Sequence, residues 1–556
     1  MRVYSLLLVF HLVIGARLSA QGNLPYFENN FRQSEMRQYA PDNALIQAIP
    51  FDSSTLPIVY IKTNWQFIPD EPKIMADMWI IDNGYNQVNH VNDPATDYNG
   101  KIGIERRGNI SQLWPQKNYS VETRTADSLP LDTFVLGMPQ DNDWVLYGPY
   151  DDRTLMKNVM TYELARQMGY WAPRCRYVEL VINTWGWPEY KGVYVMMEKI
   201  KRDNNRVDIA KLDYDDNAGD SLTGGYIIAI DSNFWSGELG FNSTQPQGLW
   251  FSYKYPDGDT ITPQQEAYIK AYIDSFELSL LQPNFQDLQN GFRKFCYEHT
   301  FQDYFIFQEL SKNIDAFKRS NYFYKDKHSK GGKLHNMPFW DYNSAWGITA
   351  CALEEDTGWV YNTWCWPSMG PIPFWYSRML QDSIYLRDLK CRWITWRSTV
   401  LDTANIFIII DSLAAYLAVP SQRQYAQYNF SETFAGQVDT LKMFIRKRIA
   451  WLDANLPGNC WNLGLSENAS FGDMFSVYPN PASGEVSLSF YLGSEKKLKI
   501  ELYNTLGEKV KTLGEQEFQA GSNTVSFDIS RMPPGVYFMQ VSDGVTSFGK
   551  KLVIAD

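Results

Sequence analysis

The order of apolar and polar positions changes character at Pro263. Before this residue, short stretches alternate between apolar and polar side chains, which is typical of strands because neighbouring side chains point to opposite faces. The predicted strands are 58–61, 78–81, 101–106, 117–123, 177–182 and 192–197. A Trp/Gly/Pro turn at 184–188 joins the last two, and helical spacing of apolar residues predicts one helix over 151–168.

After Pro263, apolar residues recur every three or four positions, as in helices that place one face against a core. The predicted helices are 264–281, 287–312, 375–400, 403–417 and 421–455. A β-rich first half and a helical second half together predict an α+β body with two lobes and a cleft between them.

The C-terminal part has a third pattern. Residues 457–473 are rich in Gly, Asn and Ser and predict a linker. The strands predicted beyond the linker are 486–491, 498–503, 524–529, 536–541 and 551–554. Short strands with turn residues at regular intervals predict a small all-β sandwich of the immunoglobulin-like type over 474–556.

The N-terminus predicts export. Arg2, an apolar run over 5–15 and small residues before Gln21 are typical of a signal peptide, here 1–20. A polar lead-in over 21–55 then precedes the body domain, 56–456. No later stretch reaches the ~18 apolar residues of a membrane-spanning helix. Export permits disulfides, and Cys351 with Cys365, which flank an aromatic loop, are the first candidate pair; two free buried thiols are an equally open alternative.

Composition narrows the classes of function. The chain has 556 residues and a net charge of −12, which argues against general binding of nucleic acid or anionic membranes. Only five His and six Cys are present, without a CxxC or HExxH motif, so a zinc enzyme is not expected. Aromatic residues reach 15%, which fits either core packing or contact with ligands.

Residues 313–347 contain the most informative polar pattern. Asp315 precedes the amide Asn321, and a second acid, Asp341, follows a polar hairpin. Phosphoryl transfer needs one carboxylate beside the attacking hydroxyl, and an amide and a carboxylate to hold Mg²⁺ on the phosphates. The spacing departs from the ordinary protein-kinase signature, however, and acid and amide pairs in loops more often cap helices or close turns.

The upstream half supplies candidate contacts to a nucleotide. They are Gly108, Asn109, Ser111, Lys117, Glu163 and Glu198. The small residues of the turn can bring backbone amides close to phosphates, and a lysine at the start of the next strand can reach them. In a kinase-like order, Glu163 is the ion-pair partner of Lys117, and Glu198 lies near the adenine. Lys117 and Glu163 also have a simpler explanation as solvated surface residues.

Several of these segments resemble the spore coat protein H (CotH) kinase family. They are the RGN-x-S start and 111–122, GVYVMMEKIKRDNNRVDIAKL, TGGYIIAID and the WDYN-containing segment. The resemblance covers 55–455 and implies an atypical, bilobal protein-kinase-like fold. By motif, it implies that Asp315 is the acidic residue of the catalytic loop, that Asn321 and Asp341 are ligands of Mg²⁺ or Mn²⁺, and that Lys117 is the phosphate contact. Asn343 departs from the pattern, because many relatives have a second acid there.

The tail resembles the type A C-terminal sorting domain of the Bacteroidetes type IX secretion system. The motifs YPNP, LKIELYNTLGEKV, GVY and KKLVIAD occur in the family's order within 474–556. The resemblance implies a partnership with the secretion machinery, passage across the outer membrane and removal of the tail. Judged by strand pattern alone, a carbohydrate-binding or spacer domain is the alternative.

Together these features predict an exported kinase that transfers phosphate from ATP to Ser or Thr of secreted or surface proteins. Its expected location is the medium or the outer cell surface, with no nucleic-acid partner and no transmembrane segment. The alternative is an inactive kinase-like adhesin or glycan-binding protein, since exposed indoles stack on sugars. The residues behind that alternative are Trp359, Trp364, Trp366 and Trp375.

Overall fold

The computed structural model describes most of the body and of the C-terminal unit. The described residues are 51–85, 87–231, 237–347, 356–363, 370–460, 475–492, 495–504, 509–519, 521–542 and 547–555. The predicted signal peptide, nearly all of the lead-in and most of the linker lie outside these ranges. So do Cys351, Cys365, Trp364 and Trp366.

The first part of the body contains a closed barrel. Its strands and the short strands beside it are β1 (Ser53–Ser54), β2 (Ile58–Lys62), β3 (Ile74–Ile81), β4 (Asn89–His90), β5 (Asn99–Arg107), β6 (Asn118–Arg124), β7 (Thr133–Val135), β8 (Met138–Asp141), β9 (Asp143–Tyr147), β10 (Cys175–Asn183) and β11 (Pro188–Glu198). The barrel order is β10-β11-β9-β6-β5-β3-β2, closed by parallel pairing of β10 with β2. The predicted alternation fills the barrel interior with side chains such as Ile102, Ile104 and Val121.

Helices dominate the rest of the body. They are α1 (Lys157–Gln167), α2 (Gly219–Leu222), α3 (Pro263–Leu281), α4 (Glu298–Ser311), α5 (Phe374–Met379), α6 (Ser383–Arg397), α7 (Thr403–Leu417), α8 (Pro420–Gln427) and α9 (Phe434–Asn455). Single 3₁₀ turns occupy Ile110–Leu113, Phe292–Lys294 and His328–Lys330. Two predicted helices are each divided in two. Asp382 accepts the Ile384 N–H and begins α6, and Thr433 accepts the Gly436 N–H and begins α9.

A second, antiparallel sheet lies among these helices. Its strands are β12 (Tyr226–Ile230), β13 (Gly240–Asn242), β14 (Trp250–Tyr255), β15 (Asn321–Lys325) and β16 (Leu334–His335). In the order β13-β14-β12-β15-β16, the fully buried β12 has a neighbour on both edges. Because β15 comes from beyond α4, the chain is not divided into a β half and a helical half at Pro263. The pairing of β12 with β15 joins a strand from before Pro263 and a strand from after it in one sheet.

Strand β11 connects the two cores of the body. Tyr194 and Met196 point into the barrel, whereas Val193, Val195 and Met197 pack in the core that α1 shares with the later helices. A strand buried on both faces must be apolar at nearly every position, which explains its VYVMM run. The barrel and the helical core are therefore joined along one strand.

The C-terminal unit is all β, as predicted. Its strands are β17 (Phe475–Tyr478), β18 (Glu485–Leu492), β19 (Lys496–Tyr503), β20 (Lys509–Phe518), β21 (Gly521–Asp528), β22 (Gly535–Ser542) and β23 (Ser547–Ile554). They form the sheets β17-β18-β21 and β20-β19-β22-β23, whose inward residues share one apolar cluster. Strand β20 escaped prediction because it is mostly exposed and lacks an apolar alternation.

No single helix within the described ranges has both the length and the apolar character needed to cross a membrane. Helices α7 and α8 pass that test by length and composition only as a pair, and they are bent by 72° at the break between them.

A disulfide joins Cys391 of α6 to Cys460, which lies just beyond the end of α9. The two residues are 69 positions apart, so the bond closes a long loop that contains α7, α8 and α9. Lys390 supports the same junction, because its ammonium donates to the carbonyls of Asp453 and Leu456 at the end of α9. This pair was not predicted from the sequence.

We expect Cys460→Ser to lower the free energy of unfolding of the body by about 2–4 kcal/mol, since the bond restricts a long loop in the unfolded chain. Urea unfolding of the full chain followed by tryptophan fluorescence measures this, because the residues after 461 contain no Trp. Cys175→Ser, which removes a free thiol, is the control. Equal unfolding midpoints for wild type and Cys460→Ser would contradict the expectation.

Candidate active site

Helix α1 supplies the frame of the candidate site. The helix is almost entirely buried, although it carries the polar residues Asn158, Thr161 and Tyr162. These positions are separated by three and four residues, so they share one face. Just before the helix, the Asp152 carboxylate accepts the N–H groups of Thr154 and Lys157 and fixes where α1 begins. The buried polar face then needs partners from elsewhere in the chain.

The segment 341–346 provides those partners. The Asp341 N–H donates to the Tyr162 hydroxyl at 3.2 Å, and the Tyr342 N–H donates to Asn158 Oδ1 at 2.6 Å. The Trp346 indole donates to Thr161 Oγ1 at 3.0 Å. Three hydrogen bonds to one helix face therefore set the position of the loop that carries Asp341.

The loop of Asp315 is attached to the same segment. Helix α4 ends at Ser311, and the Ile314 N–H donates to the Ser344 carbonyl at 3.2 Å. The Asn313 side chain donates to the Asp341 carbonyl at 3.1 Å. The two acids that the sequence selected are thus brought together by hydrogen bonds between their own loops.

Strained backbone is concentrated in this region. The non-glycine residues with left-handed φ between 312 and 346 are Lys312, Phe317, Ser320, Asp341 and Trp346. Each such conformation costs on the order of 1 kcal/mol or more, and it persists only where surrounding contacts impose it. For Asp341, at φ 64°, those contacts are the hydrogen bonds to α1 and to Asn313.

Two further acids complete an acidic group of Asp151, Asp231, Asp315 and Asp341. Each follows a different element (β9, β12, α4 and β16), and each side chain is partly accessible to solvent. Burial, and then the charges of Asp315 and Asp151, raises the pKa of Asp341 to about 8. Burial also raises the pKa of Asp315, with Asp231 and Asp151 adding to the effect. Mutual repulsion of this kind is relieved when a cation enters.

Asn343 borders the acidic group. Its Nδ2 donates to Asp151 Oδ2 at 2.7 Å, while its buried Oδ1 has no hydrogen-bond partner. A buried carbonyl oxygen without a donor is uncommon in folded proteins and is suited to a cation.

The donor chemistry of this group fits Mg²⁺, which takes hard oxygen ligands. Among the described residues, however, no three His, Cys, Asp or Glu side chains form a ready metal-binding cage. Mg²⁺ is commonly held by one or two carboxylates together with substrate phosphates rather than by an all-protein cage. The residues present therefore fit a metal that arrives with a phosphorylated ligand.

Asn321 is fully buried in the core. Its Oδ1 accepts from Asn336 Nδ2 at 2.6 Å, and its Nδ2 donates to the Phe317 carbonyl at 3.2 Å. Asn336 Oδ1 in turn accepts from the Tyr376 hydroxyl. The oxygen that the prediction assigns to a metal is engaged within this buried network.

The predicted nucleotide contacts are divided among several places. Lys117 Nζ donates to the carbonyls of Gln112 and Trp114, and Glu163 forms an ion pair with Arg166 at 2.7 Å. The structure thus does not bring Lys117 and Glu163 together. Glu198 is buried and pairs with Arg174 at 2.6 Å.

The turn after β5 has the conformation expected of a tight glycine turn. Gly108 has φ 93°, and a Cβ there would lie 2.0 Å from Ser111 Oγ. Asn109 precedes the 3₁₀ turn Ile110–Leu113 without a side-chain cap. The glycine is therefore required by this backbone, whether or not the turn contacts a ligand.

The two described tryptophans behind the glycan-binding alternative differ in burial, although both pack in or against the apolar core. Trp375 is fully buried, and Trp359 packs edge-on against Trp451 at 4.8 Å between ring centroids. Trp375 therefore has no open face for a sugar, whereas Trp359 keeps part of its surface exposed.

Comparison with known families decides the classification of the body. The family model described as CotH kinase protein matches residues 104–452, which is more than half of the chain. The chain belongs to the CotH kinase family. A second model, the secretion system C-terminal sorting domain, matches residues 476–555. This type IX sorting tail indicates a secreted protein of the outer surface. No curated protein matches the chain.

Three residues of the candidate site were not selected from the sequence: Asp151, Asp231 and Arg107. From the sequence, Asp151 and Asp152 were considered only as alternative caps of the first helix, and it is the Asp152 carboxylate that accepts the Lys157 N–H. Asp231 ends the TGGYIIAID segment directly after a buried strand, a position that often carries functional side chains. Arg107 lies at the end of β5, with its guanidinium over the Trp340 ring at 5.8 Å.

We expect the metal-free protein to lose stability as the pH rises from about 4 to about 8. The folded state keeps a proton on Asp341 up to a pKa of about 8, whereas the unfolded chain releases it near 3.8, so rising pH favours unfolding in this window. Asp341→Asn removes this contribution, on the order of a few kcal/mol. Urea unfolding with EDTA at pH 5 and pH 8 measures the difference. If the free energy of unfolding depended on pH in the same way in wild type and in Asp341→Asn, Asp341 would not be the source of this pH dependence.

We expect Asn158→Ala to destabilise the protein by about 1–3 kcal/mol, because the buried Tyr342 N–H loses its acceptor. Thermal and urea unfolding measure this loss. Gln167→Ala, at an exposed position of the same helix, is the control and should change stability by less than about 1 kcal/mol. Equal effects of the two substitutions would argue against the anchoring role of Asn158.

Proposed function

We propose that this chain is an exported protein kinase of the CotH family. It transfers the γ-phosphate of ATP, bound with Mg²⁺ or Mn²⁺, to Ser or Thr hydroxyls of secreted or surface proteins. The observation that carries the proposal is the convergence of Asp315 and Asp341 through hydrogen bonds between their loops. The barrel and the helical part are proposed to act as the two lobes of a kinase-like body.

Asp315 is proposed as the catalytic base. Its pKa is raised by burial and by neighbouring carboxylates, which strengthens its ability to accept a proton. In the proposed step, the acceptor hydroxyl oxygen bonds to the γ-phosphorus and the bond to the β–γ bridging oxygen breaks. ADP leaves, and the hydroxyl proton passes to Asp315.

Asp341 is proposed to hold the metal together with neighbouring oxygens. Further oxygen donors of this group are the Asp151 carboxylate and Asn343 Oδ1, and Asn343 Nδ2 donates to Asp151. Asn321 remains a predicted ligand, and its binding requires release of the hydrogen bond from Asn336. The bound cation would neutralise charge on the phosphates during transfer.

Delivery to the outside rests on the sorting tail. A tail of this family directs a protein through the type IX machinery, and the predicted signal peptide 1–20 would supply the first step of export. The acceptors are therefore proposed to be proteins that meet the kinase after or during secretion.

We expect the full chain to label itself or a Ser/Thr-rich protein with radioactive phosphate from Mg·ATP. Asp341→Asn and Asp315→Asn should each lower the rate at least ~100-fold, because each removes a group that acts on the transferring phosphate. Asp411→Asn, an exposed residue of α7, is the control. Undiminished labelling in either site variant would refute the proposed roles, and an absence of Mg·ATP binding would favour the inactive adhesin.

A further inference from the structure

Strand β5 ends in two neighbouring arginines that point in opposite directions. Arg106 lies against the Phe67 ring at 5.1 Å and is electrostatically coupled to Tyr119, a residue of the barrel interior. Arg107 lies over the Trp340 ring at 5.8 Å and is coupled to Asp341 and Tyr162. Because successive side chains of a strand alternate, only Arg107 faces the acidic group.

Arg107, like its neighbour Arg106, has no ion-pair partner among the described residues, whereas many arginines of the body have one. Among the described residues, no carboxylate lies within ion-pair distance of its guanidinium, and no acceptor receives a hydrogen bond from it. The paired arginines include Arg124 with Glu122, Arg174 with Glu198, Arg206 with Asp141, Arg392 with Asp303 and Arg423 with Glu179. A guanidinium removed from much of its water but left unpaired has its donors available for a ligand.

Lys117 is placed differently. It follows the turn after β5 and precedes Asn118, the residue that pairs with Arg107 in the ladder. Because side chains alternate along a strand, Lys117 belongs to the same face as Arg106. The positive charge of Arg106 also acts on the Lys117 ammonium. Its ammonium is already used by the carbonyls of Gln112 and Trp114. Lys117 therefore holds the turn together and faces away from the acidic group.

We propose that Arg107 binds the phosphate oxygens of the nucleotide, the role that the family resemblance suggested for Lys117. A planar guanidinium donates two parallel hydrogen bonds to phosphate, and the indole of Trp340 fixes its plane. Asp341 is the next residue after Trp340, the ring over which the Arg107 guanidinium lies. The guanidinium and the carboxylate proposed to hold the metal would therefore face the ligand from neighbouring positions. The proposal rests on the proposed kinase function and assigns the phosphate contact within it.

Lys199 adds positive charge on the same side. It follows β11 directly, is exposed, and is electrostatically coupled to Arg107. A triphosphate between Arg107 and the acidic group would thus have cations on one side and a carboxylate-bound metal on the other. This arrangement suits several phosphates better than one, so it predicts preference for ATP over AMP.

Isothermal titration of the full chain with Mg·ATP and with AMP tests the proposal. Arg107→Met should weaken Mg·ATP binding at least ~10-fold and AMP binding much less, since only the polyphosphate loses its partner. Arg107→Lys should recover part of the affinity, because it restores the charge without the planar fork. The matched controls, Arg106→Met and Lys117→Met, should bind Mg·ATP within about twofold of wild type.

The outcomes separate the two proposals. If wild type binds Mg·ATP but Arg107→Met binds it equally well, the role of Arg107 is wrong while the kinase proposal stands. The same holds if Lys117→Met, folded by circular dichroism and with an unchanged melting temperature, loses the affinity. If wild type binds no Mg·ATP, the proposed function itself fails, and the inference fails with it.

Discussion

The site depends on a single requirement, which is that the polar face of a buried helix must be satisfied. Helix α1 places Asn158, Thr161 and Tyr162 in the core, where each would be costly without a partner. The loop of Asp341 supplies those partners, and its left-handed backbone is tolerated because the helix holds it. Neither element would have this conformation alone. Through β11, the barrel shares the apolar core in which this helix is buried.

This arrangement differs from the expected coupling between a helix glutamate and a strand lysine. Glu163 and Lys117 are each satisfied locally, by Arg166 and by turn carbonyls. The helix reaches the site instead through backbone hydrogen bonds to the loop that carries the metal-binding candidate. A neutral connection of this kind does not depend on salt or on the protonation of a lysine.

Elements with a strong local pattern were predictable from sequence. Helix α7 has the predicted bounds, and β5 and β10 extend their predicted ranges by one or two residues at each end, because periodicity over several residues is a local property. Asp315 and Asp341 were selected because an acid, an amide, a polar hairpin and a second acid follow one another within a short segment. Asp151 and Asp231 were not, since their approach to Asp341 depends on how two sheets and a helix pack. Whether Arg106 or Arg107 faces the acidic group depends on which of two neighbouring positions at the end of β5 points to that side. Only the register of the strand ladder decides this.

The disulfide between Cys391 and Cys460 has a mechanical consequence for a chain with a sorting tail. Tension applied to the tail enters the body at residue 460 and passes through the sulfur bridge into α6, in the interior of the helical part. Helix α9, which otherwise would take that load at its last turn, is bypassed. Pulling on the tail therefore cannot unwind α9 from its C-terminal end while the bridge is intact.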